Sequence, residues 1–161
     1  MNKKKVPLTY TRDLYSAWKR GRLHYKWFRQ YRGTFDKDDL RIVRNQHPYG
    51  IHFGEWFTAI HYAKQGHGVL AEKYTCENHS RKRAVVTRLF GERGLSLLHK
   101  WHSRHHCQPP DLLVYKGNKW FFVEVKRGRD LVRPCQIAYF KDIERVFGRP
   151  VVIVDLQRKR G

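Results

Sequence analysis

Acidic residues are scarce in this chain. Only 14 Asp and Glu stand against 34 Lys and Arg in 161 residues, a formal charge of +20. A surface so one-sided repels itself unless a polyanion faces it, and nucleic acid is the expected partner, ahead of an anionic membrane surface. Long apolar runs are missing as well: none approaches the roughly 18 residues of a membrane-spanning helix. The opening MNKKKVPLTY also has no apolar core of a signal peptide. The expectation is an intracellular protein, cytoplasmic or nucleoid-associated, with no membrane partner. Cysteine is sparse: Cys76, Cys107 and Cys135 are widely spaced, which argues against a disulfide framework and for a reducing compartment. No Walker lysine loop, GxGxxG or Ser-His-Asp arrangement is present.

Apolar residues are not lacking. They make up 40% of the chain, with nine Phe, nine Tyr and five Trp, enough for one packed domain with an extension rather than a disordered chain. Residues 1–50 read as a basic, aromatic N-terminal extension and 51–161 as the core. Residues 1–7 look like a mobile lysine-rich tail. Residues 11–31 read as a helix with Leu14, Trp18, Tyr25 and Phe28 on one side, broken or kinked at Gly21. That helix either grips nucleic acid or packs its aromatics on the core. Residues 32–50, with Asp36, Asp38, Asp39 and Pro48, read as a loop-rich connection.

Further on, Phe53, Trp56, Phe57, Ile60 and Ala63 recur at helical spacing over 51–65. A strand is expected over 69–75 and a long helix over 81–103, interrupted at Gly91 and Gly94. Asp130 is positioned to cap a helix over 132–147, with Pro134 in its first turn. The apolar run 151–156 reads as a strand buried on both faces. The hairpin 111–126 is apolar on both sides too, so helices are expected to flank a central mixed sheet, an α/β fold.

The most informative stretch lies in that hairpin. DLLVYK and KWFFVEVK flank Gly117-Asn118, a hairpin signal. A two-residue loop there sets Lys116 opposite Lys119 and Asp111 opposite Glu124. Two carboxylates about 5 Å apart repel by about 3 kcal/mol at an effective dielectric near 20, and nothing in hairpin folding requires them. Lys126 returns to the face of Glu124 by the two-residue strand period. Two acids and a lysine on one patch suit a hard cation such as Mg²⁺ or Mn²⁺ that holds phosphate oxygens and acidifies water. The plain alternative is a surface salt bridge of little energetic value.

Pro110-Asp111, then Glu124-Val125-Lys126, then a helix carrying Gln136-Ile137-Ala138-Tyr139 resembles the PD-(D/E)XK nuclease superfamily, with the VRR-NUC and archaeal-type Holliday junction resolvase branches nearest. The resemblance covers about residues 51–156 and extends to the order of helices and strands. It implies a restriction-endonuclease-like core with a basic helical N-terminal extension. It also implies Mg²⁺- or Mn²⁺-dependent hydrolysis of DNA phosphodiesters, with structure-specific cutting of branched or junction DNA by analogy. In that case Asp111 and Glu124 bind the metal, helped by the Val125 carbonyl, and Lys126 positions or activates water. Gln136 matches the family's helix glutamine, and by helical spacing it shares the sheet-facing side with Tyr139, Phe140 and Ile143; Glu55 is the helix acid that would complete the metal site. By its helical angle Glu55 lies off the Phe53–Trp56–Ile60 stripe, so a solvated glutamate is its alternative; Glu72 and Glu77 are other candidates for that acid.

Arg127, Arg129 and Arg133 border the patch as a phosphate-gripping rim. His99, His102, His105, His106 and Cys107, with Cys76 and His79, have ligand types suited to zinc but no paired CxxC. The competing function is a noncatalytic basic nucleic-acid-binding protein. DNA or RNA, double-stranded or branched, and monomer or homodimer stay open at this stage.

Overall fold

The structure, a computed structural model, describes residues 4–75 and 79–160. Five strands form one mixed sheet: β1 (Lys5–Tyr10), β2 (Gly68–Leu70), β3 (Leu112–Lys116), β4 (Lys119–Arg127) and β5 (Val152–Arg158). Their spatial order is β1-β5-β4-β3-β2. β2, β3 and β4 pair antiparallel, whereas β5 runs parallel to both β4 and β1. Six helices are found among the described residues: α1 (Arg12–Lys19), α2 (Leu23–Gln30), α3 (Lys37–Arg44), α4 (Phe53–Lys64), α5 (Ser80–His105) and α6 (Pro134–Phe147). None is long and apolar enough to cross a membrane.

The hairpin adopts the expected register, with Lys116 opposite Lys119 and Leu112 opposite Val123. Alternation then sends its side chains into two cores. Leu112, Val114, Val123 and Val125 join Phe53, Trp56 and Ile60 of α4 on one side. Leu113, Trp120 and Phe122 join Tyr139, Phe140 and Ile143 of α6, with Leu98 and Trp101 of α5, on the other. β5 is likewise buried on both faces, Val152, Val154 and Leu156 toward α4 and Ile153 toward α6.

Four expectations about elements need correction. Lys5–Tyr10 is an edge strand rather than a tail, parallel to β5 from Lys5 opposite Ile153 to Tyr10 opposite Arg158. Pro7 is tolerated there because an edge strand leaves one side of its backbone unpaired. Residues 32–50 contain α3, whose Asp36 N–H donates to Asp39 Oδ2 at 2.8 Å, a capping contact of the kind that starts helices. The strand expected over 69–75 ends at Leu70, because Glu72 and Lys73 take left-handed backbone angles, φ 36° and 49°. The N-cap of α6 is Arg133, not Asp130. The helical stretch 11–31 is broken at Gly21, the expected place, into two helices, with Gly21 at φ 86°. That break resets the helical phase, so Trp27 is buried while Tyr25 is 40% exposed. Trp18 is fully buried beside Trp27, Phe53 and Trp56. The aromatics of α1 and α2 thus pack on the core that covers α4.

α4 lies close on the sheet because Gly54 has no side chain. A Cβ there would stand 3.0 Å from Leu156 and 3.1 Å from Val125, and this approach brings the start of α4, with Glu55, to the end of β4. Gly54→Val should cost about 1–3 kcal/mol by overpacking, read as a lowered urea midpoint; an unchanged midpoint would mean the helix can lift off freely.

Candidate functional site

Asp111 sits one residue before β3, where the ladder has ended. It is therefore not a ladder partner of Glu124 as hairpin numbering suggests. Instead its Oδ2 accepts the Val125 N–H at 2.8 Å, and its own N–H donates to Glu124 Oε2 at 3.3 Å. Both contacts clamp the aspartate to the acid-bearing strand. Upstream, the buried Tyr74 hydroxyl donates to the Pro110 carbonyl at 2.5 Å and fixes the turn into β3.

Glu124 is buried, 3% exposed, yet both oxygens are engaged. Gln136 Nε2 donates to Oε1 at 2.5 Å, and the Lys126 ammonium lies 2.9 Å from the same oxygen. The amide oxygen of Gln136 accepts from Lys126 Nζ at 3.1 Å and from the Arg133 N–H at 3.0 Å. One buried glutamine thus ties the acid and the lysine of β4 to the first turn of α6. Its predicted inward orientation is observed.

Glu55 joins this group electrostatically. Burial and then the Glu124 and Glu55 carboxylates hold the Asp111 carboxyl well above the usual carboxylate range. Burial and then Glu72 raise Glu55. Glu72 lies just past β2, and its Oε1 meets His52 Nδ1 at 2.6 Å. The other ring nitrogen of His52 faces Gln46 Oε1. Burial works to lower the His52 pKa, but Glu72, Glu55 and Asp39 outweigh it and the net shift is upward. A cleft of about 260 Å³ between Glu72, Lys73, Gln108, Pro109 and Asp111 opens beside these acids. Sequence patterning gave no sign of His52, which occupies a left-handed position (φ 69°) at the start of α4. Glu77 lies outside the described residues.

The basic rim is less uniform than its sequence suggests. Arg127 turns toward α1, its guanidinium 4.4 Å from the Tyr15 ring, while Arg129 and Arg133 are exposed. The histidines are not gathered. His99 contacts the Thr75 carbonyl, His102 the Cys107 carbonyl and His105 the Asp142 carboxylate. Cys76 lies outside the described residues. Cys107 instead faces Cys135, Sγ to Sγ 2.9 Å.

Among the described residues, Asp36, Asp38 and His79 bring one ligand atom each within 4.8 Å of one another; the acids around Asp111 stand further apart. The Asp36 and Asp38 carboxylates already face Arg81 at 2.8 Å and Lys82 at 3.2 Å. They belong to an ion-pair network between α3 and α5 whose centre is the wholly buried pair of Lys82 and Asp39, 2.7 Å apart. Lys82 also donates to the Glu72 carbonyl at 2.6 Å and so anchors the turn that carries Glu72.

No family model matches the chain, and no curated protein or solved structure matches it either.

Proposed function

We propose that the protein is a metal-dependent DNA endonuclease of the PD-(D/E)XK type, its sheet and flanking helices forming a restriction-endonuclease-like core. The observation that carries this reading is the constellation at the end of β4: Asp111 clamped to the Val125 N–H, Glu124 held by Gln136, and the Lys126 ammonium at 2.9 Å from Glu124.

The residues fit a hard divalent cation. Their donors are oxygens, and burial together with the crowding of carboxylates raises Asp111 and Glu55; the second of these is a field that positive charge relieves. Asp111 and Glu124 would hold Mg²⁺ or Mn²⁺ with the Val125 carbonyl and Glu55; the bound ion supplies charge to the phosphate oxygens and acidifies a water. Lys126 orients the attacking water or offsets the negative charge that grows on the phosphate. Gln136 keeps Glu124 and Lys126 in register. Arg129 and Arg133 neutralise the neighbouring backbone phosphates. The charge of +20 favours a polyanionic partner, which the nuclease reading takes to be double-stranded or branched DNA, and a homodimer would present two such sites to one junction.

A noncatalytic nucleic-acid-binding role is the second reading, favoured by one feature: Lys126 already closes a salt bridge with Glu124. The two separate on a panel of labelled linear duplex, branched, single-stranded and RNA substrates, each with Mg²⁺, Mn²⁺ or chelator. Metal-dependent cutting of DNA is expected. Binding to every substrate with no cutting in any metal would select the second reading.

A further inference from the structure

The carboxylate patch occupies one end of the sheet. β4 finishes there with Glu124–Arg127, β3 begins there after Asp111, and the parallel strands β5 and β1 finish there with Arg158 and Tyr10. Beyond those last two strand ends lies a larger cleft of about 610 Å³, lined by Thr11, Arg12, Asp13, Arg158, Lys159 and Arg160. Four of the six are cations and one is an acid. The ion pairs of Lys5, Arg81, Lys82, Lys126 and Arg145 lie elsewhere, and among the described residues no carboxylate pairs with these four. They are all exposed. The Lys159 N–H donates to the Tyr10 carbonyl at 2.8 Å, which holds the C-terminal basic run against the start of α1.

We propose that this cleft is a second backbone-binding subsite for DNA, taking phosphates remote from the bond that is cut. It rests on the nuclease reading for its link to the carboxylates, but its own ligand chemistry, a phosphodiester chain, follows from the lining. Lys126 lies opposite Asp155, so Arg158 in the next strand is three residues further along. The cleft, at the ends of β5 and β1, is about one and a half strand spacings across from Lys126 and three residues along, about 12 Å in all, or about 14 Å to its far side. At about 3.4 Å of rise per nucleotide that span corresponds to about four nucleotides. Arg127, turned toward Tyr15 of α1, stands on the intervening edge.

The opposite end of the sheet supplies the control. There His67, Lys116, Lys119 and Arg149 line another basic hollow beside Trp120, with no acid among the described residues that line it. Anisotropy of a labelled duplex in chelator, over a range of salt, distinguishes the two ends. Arg12→Ala/Arg158→Ala should weaken binding at least about tenfold and lower the log–log salt slope by about 2, since two phosphate contacts are lost. Lys116→Ala/Lys119→Ala should stay within about twofold of wild type. Equal losses from both pairs, or none from the first, would overturn the subsite, as would loss of binding to anionic vesicles with duplex affinity unchanged. Because the assay contains no metal, it stands apart from catalysis. Wild-type protein that cuts DNA while the first pair binds normally sinks the subsite alone; protein that never cuts while the first pair loses affinity sinks the nuclease reading alone.

Discussion

Asp111→Asn should abolish metal-dependent cleavage, by about a thousandfold or more, and at the same time make the metal-free protein melt higher. The loss follows from removing a charged oxygen donor beside Glu124. The gain follows from electrostatics. Burial and the carboxylates of Glu124 and Glu55 raise the Asp111 carboxyl in the folded state above its unfolded value near 3.9. The folded protein then holds that proton more tightly than the unfolded one. Its contribution to stability is full below the unfolded pKa and is lost as pH rises through the folded pKa. Asparagine keeps an acceptor for the Val125 N–H and carries no charge. The gain in melting temperature should therefore be larger at pH 8 than at pH 4. Mn²⁺ should raise the wild-type melting temperature more at pH 8 than at pH 5, where protons compete for the same oxygens, and should do so far less in the variant. A variant less stable than wild type at pH 8, with its Mn²⁺ shift intact, would remove Asp111 from the proposed metal site.

Lys82→Ala should destabilise the fold by about 3–5 kcal/mol, the usual consequence of leaving a buried charge without its partner. Lys82 and Asp39 are both fully buried, and burial already lifts the Asp39 carboxyl to about 7 against the pull of Lys82. Without the ammonium, Asp39 must take up a proton or draw in water. Lys82→Met/Asp39→Leu should recover part of the loss, since an apolar pair of similar volume escapes the desolvation cost but gives up the Asp39 contact to the Asp36 N–H. Chemical denaturation of the two variants decides: a single variant within about 1 kcal/mol of wild type would mean the pair carries no such burden. The recovered double variant should still cut DNA more slowly, because the Lys82 contact to the Glu72 carbonyl is gone from the turn beside the acids.

Local pattern carried the centre of the molecule. The Gly-Asn turn and two-residue alternation placed Leu113 and Phe122 on one core and Val114 and Val123 on the other, and helical spacing put Gln136 on the inner face of α6. What patterning missed depends on partners far along the chain. Val6, Leu8 and Tyr10 alternate as a strand should, but Lys and Pro beside them hide the signal until β5 is there to pair with. Asp36 and Asp39 form a helix start within an acidic run that looks like a loop. Lys82 lies in a basic stretch that looks solvated, and only α3 folded against α5 buries it. His52 follows no local pattern, because its partner is the Glu72 carboxylate that the left-handed turn sets against its ring. Glu55, poorly placed by helical angle alone, reaches the acids because Gly54 lets α4 settle on Val125 and Leu156.

Single-turnover cleavage of end-labelled duplex and branched DNA in Mn²⁺, by wild type, Asp111→Asn and Lys126→Ala side by side, tests the central claim most directly. The account predicts cutting by wild type that chelator stops, and loss of it in both variants while their metal-free DNA affinity stays within about twofold. Cleavage that survives either substitution, or a wild-type protein that binds these substrates and leaves them whole, would contradict it.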